Sequence, residues 1–377
     1  MGMRFVGVAA MGAAGLLGLA ACGSSSSATS STATSAAGAG SSSGAASSGA
    51  AQVGVILPDT QSSQRWESFD KPYLQKAFDD AGVKVDIQNA LGDKNKFATI
   101  ADSMIQEGVK VLIVTNLDSA SGAQVETKAK NAGIKTIDYD RLTLGGSADY
   151  YVSFDNVKVG ELQGAGLVNC LNGKTAARVI EINGSPTDNN ATLFKQGYDS
   201  QLDPKYKSGW TKVDDKSIAD WKNDVAGTTF EQSLTAAGNK VDGVLVANDG
   251  MAQSVIQVLK KNGLNGKVPV TGQDATPDGL RSVLVGDQCM TVYKAVKAEA
   301  KGASDAALAL LKGSTVDTAG KTTKDTQAGR DVPSILLTPV AITAANVKDV
   351  VADGFVKASD ICTTDAAKAA CTKNGVQ

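Results

Sequence analysis

Five clusters of polar side chains in this chain each follow a short apolar run. They are Asp138-Tyr139-Asp140-Arg141, the run 185–190 with Asp188 and Asn190, Asn248-Asp249, Gln273-Asp274, and Lys294. If the apolar runs are strands, each cluster stands at a strand's carboxyl end, where ligands sit in open α/β sheets. The residue types are carboxylates, amides, a guanidinium and an ammonium, which donate and accept hydrogen bonds in fixed directions. The clusters therefore form a candidate binding site. An Asp or Asn after a strand more often only caps a turn or helix, and Asn156, Asn189 and Asp249 are given that role alone.

The elements that must carry these clusters alternate in type. A compact apolar run at 53–57 ends in Pro58-Asp59 and reads as a buried first strand. Trp66, Phe69, Tyr73, Ala77 and Phe78 then recur at helical spacing, with Pro72 either in the first turn behind an Asp70 cap or kinking the helix. Strands at 83–88 and 109–114 alternate with helices at 95–106 and 121–132, a pattern that predicts a parallel sheet covered on both faces. The stretch 135–160 is the predicted hinge, with a short strand through Thr136 and Ile137, a turn at Gly145-Gly146 and a second strand at 150–154. Beyond it, helices at 157–171, 189–202, 221–236 and 252–262 alternate with strands at 178–182, 210–213, 243–247, 268–271 and 290–293. The amphipathic run 296–312 should return to the first half, and 332–339 with the helix near Val347 should cross to the second. The expected fold class is α/β, with two doubly wound, Rossmann-like lobes joined by a three-crossing hinge. The N-terminal lobe takes 52–154 plus 295–331, the C-terminal lobe 155–294 plus 332–360, and 361–377 is a tail.

Composition narrows the function. The chain has 377 residues, 42% hydrophobic and 20% charged, enough for two ordinary cores. A net charge of -2 leaves no electrostatic footprint for nucleic acid. The chain has no histidine, which removes the commonest general base and metal ligand and every Ser-His or Cys-His pairing. No metal cluster is visible, and no cofactor is expected. A glycosidase reading would pair Asp140, Asp188 and Asp274, but arginines beside these acids should hold them ionised, whereas a general acid needs a raised pKa. A P-loop fails because Val168 stands where glycine is required before Gly173-Lys174-Thr175. A dinucleotide loop fails because Asn169 follows Gly164-Ala165-Gly166 in place of a third glycine. Those glycines are expected to permit close helix packing.

The N-terminus reads as an export signal. Arg4 precedes an apolar run at 5–19, and Leu19-Ala20-Ala21-Cys22 resembles the lipobox of a bacterial lipoprotein. The expectation is a signal peptide at 1–21, lipidation of Cys22 and a disordered Ser/Ala/Gly tether at 22–51. The protein would then be exported and lipid-anchored to the outer face of the cell membrane, touching the membrane only through the anchor. An exported chain with four further cysteines should form two disulfides. Three pairings are open, and Cys170 with Cys289 and Cys362 with Cys371 is the pairing expected.

Over about Val53 to Phe355 the chain resembles the type I periplasmic sugar-binding proteins of ABC importers, in particular their D-xylose-binding group. The likeness is dense at Arg65-Trp66, Tyr139-Asp140-Arg141, 153–163, 184–191, Gly272-Gln273-Asp274-Ala275, Met290-Thr291-Val292-Tyr293-Lys294 and Leu337-Thr338-Pro339. It implies sugar contacts from Arg65, Trp66, Asp140 and Arg141 in the first lobe. From the second lobe it implies Asp188, Asn190, Asn248, Asp274 and Lys294, with Trp221 as the stacking aromatic, and Asp59 is an additional candidate. The family usually carries another tryptophan near Ser217, which this chain lacks. Sugar chemistry fits these residue types, since planar polar groups pair with hydroxyls while a ring covers the C–H face. The implied ligand is a neutral monosaccharide, D-xylose first, with glucose, arabinose, galactose or ribose as alternatives. The implied partner is an ABC transporter permease, and the chain is expected to be a monomer that binds no nucleic acid and is not an enzyme. A sugar-responsive repressor would need an N-terminal helix-turn-helix where the signal and tether stand. A sensor that presents its sugar to a membrane receptor would keep the same pocket.

Overall fold

The computed structural model describes residues 50–377. The signal peptide, Cys22 and nearly all of the tether lie outside the described residues. Ala51, placed in the tether by its composition, is buried against the first core, and Gln52 donates its backbone N–H to Lys84, so the ordered chain begins slightly earlier than expected.

The first lobe opens with β1 (Val53–Leu57), a π-helical turn (Trp66–Asp70), α1 (Lys71–Asp80), β2 (Val85–Asn89), α2 (Lys94–Glu107), β3 (Val111–Val114), α3 (Ser119–Asn131), β4 (Lys135–Tyr139) and β5 (Tyr150–Phe154). These strands pair in parallel. Successive residues serve opposite cores: Val55 packs with α1, while Ile56 packs with α2 and α3. Such two-sided burial is what continuous apolar strands require. Asp93 and Asp118 cap α2 and α3 with their side chains, and Gly108 ends α2 in the left-handed region. Asp70 does not cap α1, because its carboxylate is taken by Arg65 and Tyr139. Pro72 stands in the first turn of α1, directly after the π turn.

The second lobe follows with α4 (Asn156–Cys170), β6 (Arg178–Asn183), α5 (Asn189–Lys207), β7 (Thr211–Ser217), α6 (Asn223–Ala236), β8 (Gly243–Val246), α7 (Asp249–Lys261), α8 (Pro277–Val285) and β9 (Thr291–Tyr293). Its sheet runs β7-β6-β8. The expected strand at 268–271 is reduced to one bridge, Val270 to Val244, though Cys289 donates its N–H to Val270 and so carries the layer on to β9. The close packing of α4 and α5 depends on glycine: a Cβ on Gly160 would lie 2.0 Å from the Phe194 carbonyl oxygen, and one on Gly164 2.8 Å from Gln201. Helix α8 has no counterpart among the expected elements, and α7 begins three residues before the expected 252.

Three segments connect the lobes. The first runs from β5 into α4, and the second from β9 through Lys294 into α9 (Val296–Leu311), which packs Ala300, Ala303 and Ala307 on the first sheet. Next come β10 (Thr322–Asp325) and β11 (Arg330–Leu337). Here the expected boundary is corrected. β11 is the parallel neighbour of β5, with Ser334 opposite Tyr151 and Leu337 opposite Phe154, so 332–337 belongs to the first lobe's sheet and not to the second. That sheet has seven strands in the order β10-β11-β5-β4-β3-β1-β2. The third crossing is at Thr338-Pro339, after which β12 (Val340–Ile342) pairs with β9. Asp155 donates its N–H to the Leu337 carbonyl at 2.9 Å, tying the first crossing to the third.

The chain ends with α10 (Val347–Ala352), α11 (Ala358–Ile361) and α12 (Asp365–Asn374). The segment 361–377 is no loose tail: Ile361, Cys371 and Val376 are buried in a cluster with Leu280 and Val283 of α8. Disulfides join Cys170 to Cys289 and Cys362 to Cys371, with Cα separations of 6.4 and 6.1 Å. Both separations lie in the range such bonds need.

Candidate functional site

The strand ends of both lobes meet across one cleft. On the first-lobe side the loop after β1 brings Arg65 and Trp66, and the turn after β4 brings Asp140 and Arg141. The second lobe brings Asp188 and Asn190 at the start of α5, Trp221 before α6, Asn248 as the cap of α7, Asp274 from the turn before α8, and Lys294 after β9. All ten line a single small cavity of about 30 Å³. Asp59 does not reach it. Its carboxylate is turned back on its own loop, accepting from the N–H groups of Gln61 and Ser62 and from the Ser62 hydroxyl.

Asp140 stands in the left-handed region at φ 61°, which aspartate tolerates better than most residues but which still needs support from its surroundings. That support comes from β5 and α5. Tyr151 Oη, Ser153 Oγ and Asn190 Nδ2 all donate to the Asp140 carbonyl, at 2.9, 2.7 and 2.9 Å. Asn156, read from sequence as a cap only, donates to Asn190 Oδ1 at 2.9 Å and so holds that amide in place. The Asp140 carboxylate then receives Arg65 Nη1 at 2.7 Å and Lys294 Nζ at 3.4 Å. Burial pushes its carboxyl up, but Lys294, Arg65 and Arg141 together outweigh burial and hold it well below the usual carboxylate range.

Arg65 is clamped by more acids than the sequence indicated. Nε and Nη2 donate to Asp70 at 2.9 and 2.7 Å, and Nη2 also reaches Glu299 Oε2 at 2.5 Å. Burial opposes the guanidinium's charge, yet Asp70, Glu299 and Asp140 keep its pKa well above the usual value. Both Asp70 and Glu299 are raised by burial against the pull of Arg65. Glu299 lies 234 positions from Arg65, within an amphipathic helix, and nothing local in the sequence marks it.

Several bonds cross the cleft directly. Arg141 Nε lies 3.1 Å from Asp188 Oδ2, Ser63 Oγ donates to Asp274 Oδ2 at 2.9 Å, and Asn248 Nδ2 donates to the Ser62 carbonyl at 3.0 Å. Ser62, Ser63, Phe194 and Gln273 complete the lining and were not among the predicted contacts. At Asp188 burial raises the carboxyl against the pull of Arg141. Capping and pocket roles coincide in Asp188 and Asn248, since each also accepts a helix N–H.

The aromatic positions are built differently. Two guanidinium groups pack near the Trp66 ring, Arg65 at 4.5 Å and Arg141 at 5.4 Å from its centre. Trp221 is in the left-handed region at φ 56°, as is Asp220 before it at φ 55°, a strain of roughly 1–3 kcal/mol each. Its indole N–H donates to Asp188 Oδ2 at 3.1 Å, and its ring lies over Gly184, where a Cβ would come within 2.0 Å of it. Gly184 was legible in the sequence as part of a motif, but its purpose was not. Asp249, read as a cap alone, is fully buried and accepts from Gln288 Nε2 and Thr291 Oγ1 at 2.8 Å each and from the Thr276 N–H at 2.9 Å. It thereby joins α7, α8 and β9 behind Asp274, and burial pushes its carboxyl up to about 7.

Two α/β lobes, three crossings and a buried polar cavity at the strand ends define a solute-binding protein. Residues 53–315 match the periplasmic binding protein domain, and the chain belongs to that family of extracytoplasmic binding proteins. It is 37% identical over 312 residues to the D-xylose-binding periplasmic protein of Escherichia coli, covering 82% of this chain and 92% of that protein. To the multiple sugar-binding periplasmic receptor ChvE of Rhizobium radiobacter it is 34% identical, with 82% and 92% covered. A carbohydrate transporter solute-binding protein from Chloroflexus aurantiacus, solved with D-glucose, superposes with a TM-score of 0.77 at 29% identity, covering 82% of this chain and 98% of that one. Among the described residues no helix is long and apolar enough to cross a membrane.

Proposed function

We propose that this protein captures a neutral aldopyranose, D-xylose foremost, between its lobes and delivers it to an ABC transporter permease. The observation that carries the reading is the convergence of ten polar and aromatic side chains from both lobes on one cavity in which three acids face three cations. Asp140, Asp188 and Asp274 stand against Arg65, Arg141 and Lys294 along its walls. A charged sugar acid would upset that balance, whereas a neutral polyol satisfies both signs. The cross-cleft bonds of Asp274, Asp188 and Asn248 are the ones sugar hydroxyls would take over as the lobes part and reclose. The D-xylose-binding relative favours the pentose. The multiple sugar-binding relative and the D-glucose-bound neighbour favour a wider aldose range as the second reading.

Calorimetry of residues 52–377 against aldopentoses and aldohexoses tests this. D-xylose should bind more tightly than about millimolar, and the absence of any neutral monosaccharide ligand below that limit refutes the reading. The protein acts as a monomer, held on the outer face of the membrane by a lipid on Cys22, as the lipobox and the Ser-rich tether support. Mass spectrometry of the native membrane fraction should find a diacylated N-terminal cysteine; a soluble form cleaved elsewhere rules the anchor out.

A further inference from the structure

A second chamber adjoins the first. It has a volume of about 270 Å³ and shares three walls with the monosaccharide cavity, namely Arg141, Asp188 and Trp221. The partition is made of side chains: the Arg141–Asp188 pair at 3.1 Å and the edge of the indole that donates to Asp188. A substituent on a sugar ring would pass from one space to the other by displacing that ion pair.

The chamber's own walls come from both lobes. The first lobe brings Asp59, Gln61, Leu91 and Lys94, and the second brings Ser185, Asp220 and Lys222. Its charges balance, with Arg141, Lys94 and Lys222 against Asp59, Asp188 and Asp220. As in the first cavity, a phosphorylated or acidic group gains no net attraction there, while hydroxyls find both donors and acceptors. Leu91 supplies the apolar face. It is the most exposed large apolar side chain among the described residues, at 56%, and it is held there in the left-handed region at φ 57°. The Leu91 N–H is anchored by Asn89 Oδ1 at 2.8 Å. A leucine at such a backbone angle gains nothing locally, since Gly or Asn would relieve it. Placed on a chamber wall, it offers the C–H face of a ring an apolar partner.

We infer that the cleft accepts a neutral disaccharide or glycoside as well as a free monosaccharide, with one ring in the polar cavity and its glycosyl substituent in the chamber lined by Leu91, Lys94 and Asp220. This deepens the sugar-binding reading and rests on it. Xylobiose is the probe, because one of its rings is substituted at the anomeric carbon and the other at a ring hydroxyl, so it offers two ways out past Arg141 and Asp188.

The experiment is calorimetry of xylose and xylobiose with the parent and with Leu91→Asn, which keeps a residue tolerant of the left-handed region. Xylobiose should bind one to one within about tenfold of xylose, and Leu91→Asn should weaken xylobiose about fivefold or more while leaving xylose unchanged. Xylose binding with xylobiose more than about a hundredfold weaker overturns the second subsite alone. So does an equal loss for both sugars in the variant. If neither sugar binds, the D-xylose reading itself has failed, and the subsite with it.

Discussion

Replacing Asp274 tests the pocket most directly. Its carboxylate stands at the junction of three interactions: Lys294 Nζ at 3.5 Å, the Ser63 hydroxyl from the opposite lobe at 2.9 Å, and the Gln273 amide at 3.0 Å. The side chain is 6% exposed, so the group acts in a nearly dry site where charge-assisted hydrogen bonds are strong. Asp274→Ala removes an ionised acceptor for sugar hydroxyls and leaves Lys294 with one acid fewer. Losing a charged partner there should weaken sugar binding by on the order of 2–4 kcal/mol, or roughly 30- to 1,000-fold in Kd. The backbone at this residue has φ 96°, so alanine also strains the fold. Asp274→Asn is the cleaner companion, because it keeps the shape and loses the charge. Ser63→Ala, which removes only the cross-cleft donor, should cost less, about 1 kcal/mol. Calorimetry with D-xylose on folded variants reads all three. An Asp274→Asn protein that binds as tightly as the parent would refute the claim that this carboxylate accepts from the ligand.

Three further outcomes follow from the geometry. Gly184→Ala places a Cβ where the Trp221 ring lies, so the ring must leave; ligand affinity should fall at least about tenfold and tryptophan emission should shift, whereas unchanged binding would remove Trp221 from the site. Asp249 is raised by burial to about 7 from an ordinary 3.8. Its native form therefore binds a proton more tightly than the unfolded chain, and its contribution to stability is full below about pH 4 and is lost as pH rises through about 7. Asp249→Asn should gain stability relative to the parent across that window in denaturant titrations, and parallel pH profiles would show that Asp249 does not titrate there. Sugar saturation should reduce the radius of gyration seen by solution scattering; no change would count against lobe closure.

The sequence by itself determined the βα alternation, the hinge at 135–160 and the polar strand ends, because each is a local pattern: apolar runs of strand length, helical spacing, and turn residues where strands stop. Asp140, Arg141, Asp188, Asn190, Asn248, Asp274 and Lys294 could be named from the strand-tip pattern, since a strand tip places its side chains on the same edge of the sheet as its neighbours' tips, whereas Arg65, Trp66 and Trp221 were marked only by the family resemblance. What failed lay elsewhere. β11 was assigned to the wrong lobe because nothing within 330–337 says which sheet edge accepts it; only pairing with Tyr151 to Phe154 decides. β7 ran longer than expected because an edge strand is stable with the charged sequence Thr211–Ser217, which shows no apolar run. Asp59 stands at the tip of the first strand as a contact would but spends its carboxylate on its own turn, and Glu299, which no local pattern marks, closes the clamp on Arg65. Local sequence specifies which groups stand at a strand end. Whether a buried charge meets a ligand or a second charge depends on residues hundreds of positions away, and burial itself, which moves Asp188 and Asp249 against their nominal chemistry, exists only once the lobes have packed.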